Sequence, residues 1–126
     1  MSNPFDGYVQ AYGTKEGLTK LTESLDYYFE VVPYEECVEF SDNYYSFYSV
    51  QMNAGILTSL FSYLSNKLDL VIEVYAENPK IIEKGLFLRG NVINSSIEKN
   101  LNPYQDVEGM DLDIMEKYYK GENIDE

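Results

Sequence analysis

Tyr44-Tyr45-Ser46-Phe47-Tyr48-Ser49-Val50-Gln51-Met52, then Asn53 to Leu68, then Leu70-Val71-Ile72-Glu73-Val74-Tyr75-Ala76 reads as strand, helix, strand. The first run is aromatic, contains a β-branched valine and lacks Pro and Gly, which suits a pleated, half-buried surface. The second spaces Ile56, Leu57, Leu60, Phe61, Leu64 and Leu68 helically behind Asn53, a candidate N-cap. The third is the most strand-like run in the chain. A helix crossing between two such strands buries its apolar stripe on one sheet face.

Working outward, Tyr8-Val9-Gln10-Ala11-Tyr12 alternates and stops at Gly13, predicting a strand with Val9 and Ala11 on one face. Thr14 caps a helix whose stripe is Leu18, Leu21, Leu25 and Tyr28, ending near Phe29. Val31 to Tyr34 is expected as a connection because of Pro33. Glu35 to Phe40 is expected as a strand joined to the aromatic run through Ser41-Asp42-Asn43. After a turn at Glu77 to Lys80 come a strand over 81–89, a turn at Gly90-Asn91 and a short Val92-Ile93 strand. Apolar density falls from Asn94, and Leu112, Met115 and Tyr119 predict one short helix over 111–120.

The order predicts an α+β fold. It is that of a ferredoxin-like βαββαβ antiparallel sheet with two helices on one face, plus a C-terminal β-hairpin and an acidic tail. The expected organisation is a lead-in over 1–7, a domain over 8–94 and a tail over 95–126. Tyr12-Gly13-Thr14-Lys15-Glu16, where a strand runs into a helix, and Leu64-Ser65-Asn66-Lys67-Leu68-Asp69-Leu70, where a helix gives way to a strand, carry a resemblance. Both resemble the YubB-type group of ferredoxin-like plasmid and phage proteins, in layout over residues 8 to 94. The resemblance implies a mobile-element or phage setting and transfers no catalytic residue.

Composition narrows the chemistry. The chain of 126 residues has no His and a single cysteine, Cys37, which removes the commonest general base and any intramolecular disulfide or cysteine-ligated cluster. No run is long and apolar enough for a membrane helix, and there is no signal pattern, so a soluble cytoplasmic protein is expected. The net charge of −13 is segregated: residues 21–66 hold seven acids and no base, and 104–126 hold eight acids against Lys117 and Lys120. Such a field repels nucleic acid and anionic membrane and attracts basic surfaces. Glu35, Glu36 and Glu39 lack a nucleophile or phosphate-binding loop beside them, and the acids from Asp106 to Asp113 lack the order of a calcium loop. No catalytic residue, cofactor or metal is therefore predicted.

The strand period places Tyr8, Gln10, Tyr12, Glu39, Tyr45, Phe47, Gln51, Glu73 and Tyr75 on the face away from the helices. Aromatic side chains among carboxylates on an open sheet resemble a binding surface, although cross-strand aromatic pairs also stabilise sheets unaided, and the hairpin or tail is able to cover this face. RNA-recognition modules use such a topology, but the basic residues they need are absent here. The expectation is a non-enzymatic acidic inhibitor of anti-CRISPR or antirestriction character, mimicking nucleic acid on the basic surface of a host enzyme or CRISPR effector. Its predicted contact residues are Glu35, Glu36, Glu39, Asp42, Tyr45, Phe47, Tyr8, Tyr12, Glu73 and Tyr75, with the tail acids second. The alternative is a small-molecule or peptide-binding module that forms a homodimer through the aromatic face. A third reading has the tail docking on a basic partner.

Overall fold

The computed structural model describes residues 5–40, 43–52, 58–101 and 109–122. Asn53, Ile56, Leu57, Asp42, Pro103 and Asp106 lie outside them. Nine elements follow in order: β1 (Phe5–Thr14), α1 (Lys15–Tyr28), β2 (Glu30–Phe40), β3 (Asn43–Met52), α2 (Thr58–Leu68), β4 (Val71–Glu77), β5 (Ile81–Leu88), β6 (Asn91–Lys99) and α3 (Leu112–Lys120). The strands make one sheet in the order β2-β3-β1-β4-β5-β6, and every neighbouring pair is antiparallel.

β1 lies inside the sheet, and its alternation sorts the core. Val9 and Ala11 are fully buried with Ile72 and Val74 of β4 beneath Leu18, Leu21 and Leu25 of α1 and Phe61, Leu64 and Leu68 of α2. Burying one such leucine contributes about 1.5 to 3 kcal/mol, so α1 and α2 are held by their stripes more than by helix propensity. Thr14 caps α1 by accepting a hydrogen bond from the Gly17 amide at 3.1 Å. β5 and β6 are joined through Arg89 and Gly90, both at positive φ, the backbone that a tight hairpin requires. Gly90 is locked to α2, its amide donating to Ser65 Oγ at 2.9 Å and its carbonyl accepting from Ser62 Oγ at 2.7 Å.

α3 lies on the opposite face. Met115 is fully buried there against Tyr12, Val71 and Leu86. This overturns the expected ferredoxin-like βαββαβ sheet with two helices on one face: among the described residues the sheet has six strands, and three helices occupy both faces. The reason is that residues with even numbers on β1 also need burial, and the chain after β6 supplies it. Three local expectations change as well. Val31 to Tyr34 belongs to β2, with a register irregularity between Pro33 and Cys37 that accommodates the proline. β6 continues to Lys99, well past Ile93. Tyr28 is 53% exposed and so lies off the buried stripe of α1.

Gly7 has no room for a side chain, because a Cβ there would run into the backbone carbonyl of Tyr75 on β4. Gly7→Ala is expected to lower the urea midpoint without changing the fluorescence of the folded state. Leu21→Ala, at a fully buried position, is expected to cost about 2 to 5 kcal/mol in the same titration.

Candidate functional site

The face under α3 is built from rows that run across the strands. One row holds Phe47, Gln10, Glu73, Leu86 and Asn94 in register; the next holds Ser49, Tyr8, Tyr75, Lys84 and Ser96; a third holds Tyr45, Tyr12 and Val71. The sequence period thus brought Tyr8, Tyr12, Tyr45, Phe47, Glu73 and Tyr75 to one face by register. Exposure is another matter: Tyr8 and Tyr75 are buried and Tyr12 is fully so. The tyrosine rings of Tyr8 and Tyr75 stack with centroids 5.4 Å apart, and Tyr12 meets the edge of Tyr119 at 5.5 Å.

Gln10 organises this face. It is fully buried, and its Nε2 donates to Glu73 Oε1 and, at 2.9 Å, to the Met110 carbonyl. The Met110 amide donates to the same Glu73 oxygen at 2.9 Å. The Gln10 Nε2 donor and the Glu73 Oε1 acceptor, in the middle of a sheet, are thereby bonded to the backbone that leads into α3. Gln10 Oε1 has no hydrogen-bond partner among the described residues. At the other end of α3, Arg89 Nε donates to Asp69 Oδ1 at 2.7 Å, Arg89 Nη2 to the Tyr119 carbonyl at 2.9 Å, and Tyr119 OH to Asp69 Oδ2 at 3.2 Å.

Beside this clasp the face retains a recess of about 130 Å³, whose lining includes Tyr8, Glu73, Tyr75, Lys84, Asn94 and Tyr118. Burial, then the charge of Glu73 and a hydrogen bond to it, hold the Tyr8 hydroxyl well above the usual tyrosine range. Burial, with Glu73 and Asp111 adding to it, pushes Tyr45 up to about 12; burial and then Glu77 do the same for Tyr75. The site therefore presents neutral phenols, one carboxylate engaged by donors and one exposed lysine, a set suited to binding. Among the described residues no three carboxylate or thiol groups gather as metal ligands.

The predicted acids lie elsewhere. Glu35, Glu36 and Glu39 are on β2, an edge strand, and Glu39 is registered opposite Tyr44 while Val38 is opposite Tyr45. By register Glu39 thus does not share with Tyr45 the face expected for both. Asp42 lies outside the described residues. A second surface joins acids that the helical spacing already places outside the leucine stripe, Glu23 and Asp26, to a tyrosine not expected among them. On the outer side of α1, Glu16, Glu23 and Asp26 are exposed, Tyr27 is 81% exposed, and its ring meets that of Tyr28 edge-on at 4.9 Å. Lys20 is already paired with Glu16 at 3.1 Å. Its sequence signal was the pair Tyr27-Tyr28, of which the first falls off the leucine stripe. Comparison with known proteins finds no family model, no curated protein and no solved structure that matches this chain.

Two outcomes are expected from this geometry. Tyr8, Tyr45 and Tyr75 hold their protons above the ordinary value of 10 in the folded chain. The unfolded chain therefore ionises first, and the stability they lend is complete below pH 10 and lost as pH rises toward 12 and beyond. Urea midpoints measured from pH 8 upward should be level to about pH 10 and then fall, less steeply in Tyr45→Phe. Separately, a Cβ on Gly109 would lie 2.6 Å from Gln10 Oε1. Gly109→Ala is expected to raise amide hydrogen exchange through α3 while leaving α1 and α2 protected.

Proposed function

We propose that this protein is a non-catalytic acidic binding protein that occupies a basic, nucleic-acid-binding surface on another protein. The observation that carries the reading is the outer side of α1, where exposed Glu23 and Asp26 stand beside exposed Tyr27 and Tyr28. Carboxylates in place of phosphates engage Lys and Arg, a net charge of −13 steers the encounter, and tyrosines add contact area at low entropic cost. Backbone placement of Glu30, Glu35, Glu36 and Glu39 on the neighbouring edge strand extends the acidic field on the same side of the sheet order. α1 packs on β1, β2 and β3, so three strands back this surface. A host-defence enzyme, such as a CRISPR effector or restriction subunit, is the partner class proposed, because its nucleic-acid site is lined with Lys and Arg.

The test is capture from a bacterial lysate on the immobilised full chain, followed by competition with duplex DNA and single-stranded RNA. The expected result is a nucleic-acid-binding protein released by salt and displaced by one of those oligonucleotides. Glu23→Lys with Asp26→Lys should weaken its retention by about tenfold or more, equivalent to about 1.4 kcal/mol, without moving the melting temperature of the free chain by more than a few degrees. Retention that neither oligonucleotide nor charge reversal alters would overturn the proposal.

The recess favours a second reading, a small-ligand module. Its volume of about 130 Å³ is close to the ~150 Å³ of an engineered cavity that admits benzene. Free amino acids and primary amines, titrated while the ring signals of Tyr8 and Tyr75 are followed by NMR, are the probes. Saturable shifts lost in Lys84→Ala and Tyr118→Ala support this reading, and unmoved signals dispose of it.

A further inference from the structure

The two edges of the sheet are built differently. β2 carries Pro33, a register irregularity, and Glu30, Glu35, Glu36 and Glu39, all devices that discourage another strand from adding to an edge. β6 has few of them. It is nine residues long, it pairs with β5 on one side and with no described residue on the other, and Asn91 to Ile97 carries no charge. Its irregularity is confined to the start, where Phe87 pairs Val92 and Leu86 pairs Asn94, leaving Asn94 to Lys99 in regular register with β5. Val92, Ile93 and Ile97 are exposed, Ile97 by 69%.

We infer that β6 is the contact by which a second copy of this chain pairs, antiparallel and across a two-fold axis, joining two sheets into one. A strand of one copy laid on the same strand of another satisfies the outward amides and carbonyls of both. The charge pattern selects a second copy. Pairing centred on Ser95 sets Glu98 and Lys99 of each copy against Val92 and Asn91 of the other, which are uncharged. It also sets Ile93 of each copy opposite Ile97 of the other, in one apolar seam. Two chains of −13 repel over most of their surfaces, and a strand of zero net charge, far in the sheet order from β2 and its acids, is where they approach at least cost. Screening by salt must then strengthen the contact, the opposite of what it does to an acidic surface held on a basic partner.

Sedimentation equilibrium on the full chain, over a wide concentration range at low and high salt, tests this. The expected result is a monomer–dimer equilibrium whose dissociation constant falls at least severalfold as salt is raised. Ile97→Lys lowers the net negative charge and so would favour association on charge alone; edge pairing instead predicts about tenfold weaker dimerisation. As a positive test, Ser95→Cys in a Cys37→Ser background should crosslink to its own copy under mild oxidation. A chain that stays monomeric at high salt, or a dimer indifferent to Ile97→Lys and unable to crosslink through position 95, would overturn the inference. Neither result bears on capture through α1.

Discussion

A glutamine amide with no access to water, at the centre of the sheet, constrains this molecule more than any other group. Gln10 is placed there by the alternation of β1, which cannot put Val9 and Ala11 under the helices without putting Tyr8, Gln10 and Tyr12 on the other side. The apolar face is covered by α1 and α2 at once. The opposite face must then find both apolar cover for two tyrosines and hydrogen-bond partners for an amide and the Glu73 carboxylate across from it. Met110 offers an amide and a carbonyl, and Met115 offers the apolar cover. Leaving the Gln10 Nε2 donor or the Glu73 carboxylate unbonded would cost about 1 to 3 kcal/mol, so docking of α3 follows from the arithmetic of β1 as much as from its own sequence.

That dependency explains what was legible beforehand. The leucine stripe of α1, the run Leu70 to Ala76 and the alternation of Tyr8 to Tyr12 are local patterns with one dominant solution each, and they set the strands and helices near their observed places. The tyrosine-lined face was also legible as a face. Whether the hairpin or tail covers it stays open in the sequence, because the covering contacts join residues a hundred positions apart, as Gln10 and Met110 do. Nothing in the spacing of Leu112, Met115 and Tyr119 says which surface they meet. β6 was shortened for a related reason: Asn94-Ser95-Ser96 lacks the apolar alternation of a half-buried strand, since an edge hairpin held mainly by β5 has little to bury.

Charge and shape are divided along the sheet order. β1 and β4 are enclosed, the flank at β2 and α1 gathers carboxylates with exposed tyrosines, and the flank at β6 is almost neutral. An acidic chain with its charge spread evenly would have no place to meet either a basic partner with direction or a copy of itself. Segregation would permit both, because the two proposed contacts lie at opposite ends of the sheet and would respond to salt with opposite sign. If β6 pairs, the acidic flanks of the two copies become the outer ends of one continuous sheet, as far from each other as the strand order allows. A dimer of that kind would present two α1 surfaces at fixed separation, and a partner with two basic sites at that spacing would hold it far more tightly than either surface alone. In such a dimer the clasp that buries Gln10 would serve binding indirectly, because both faces of the sheet between the two ends are packed.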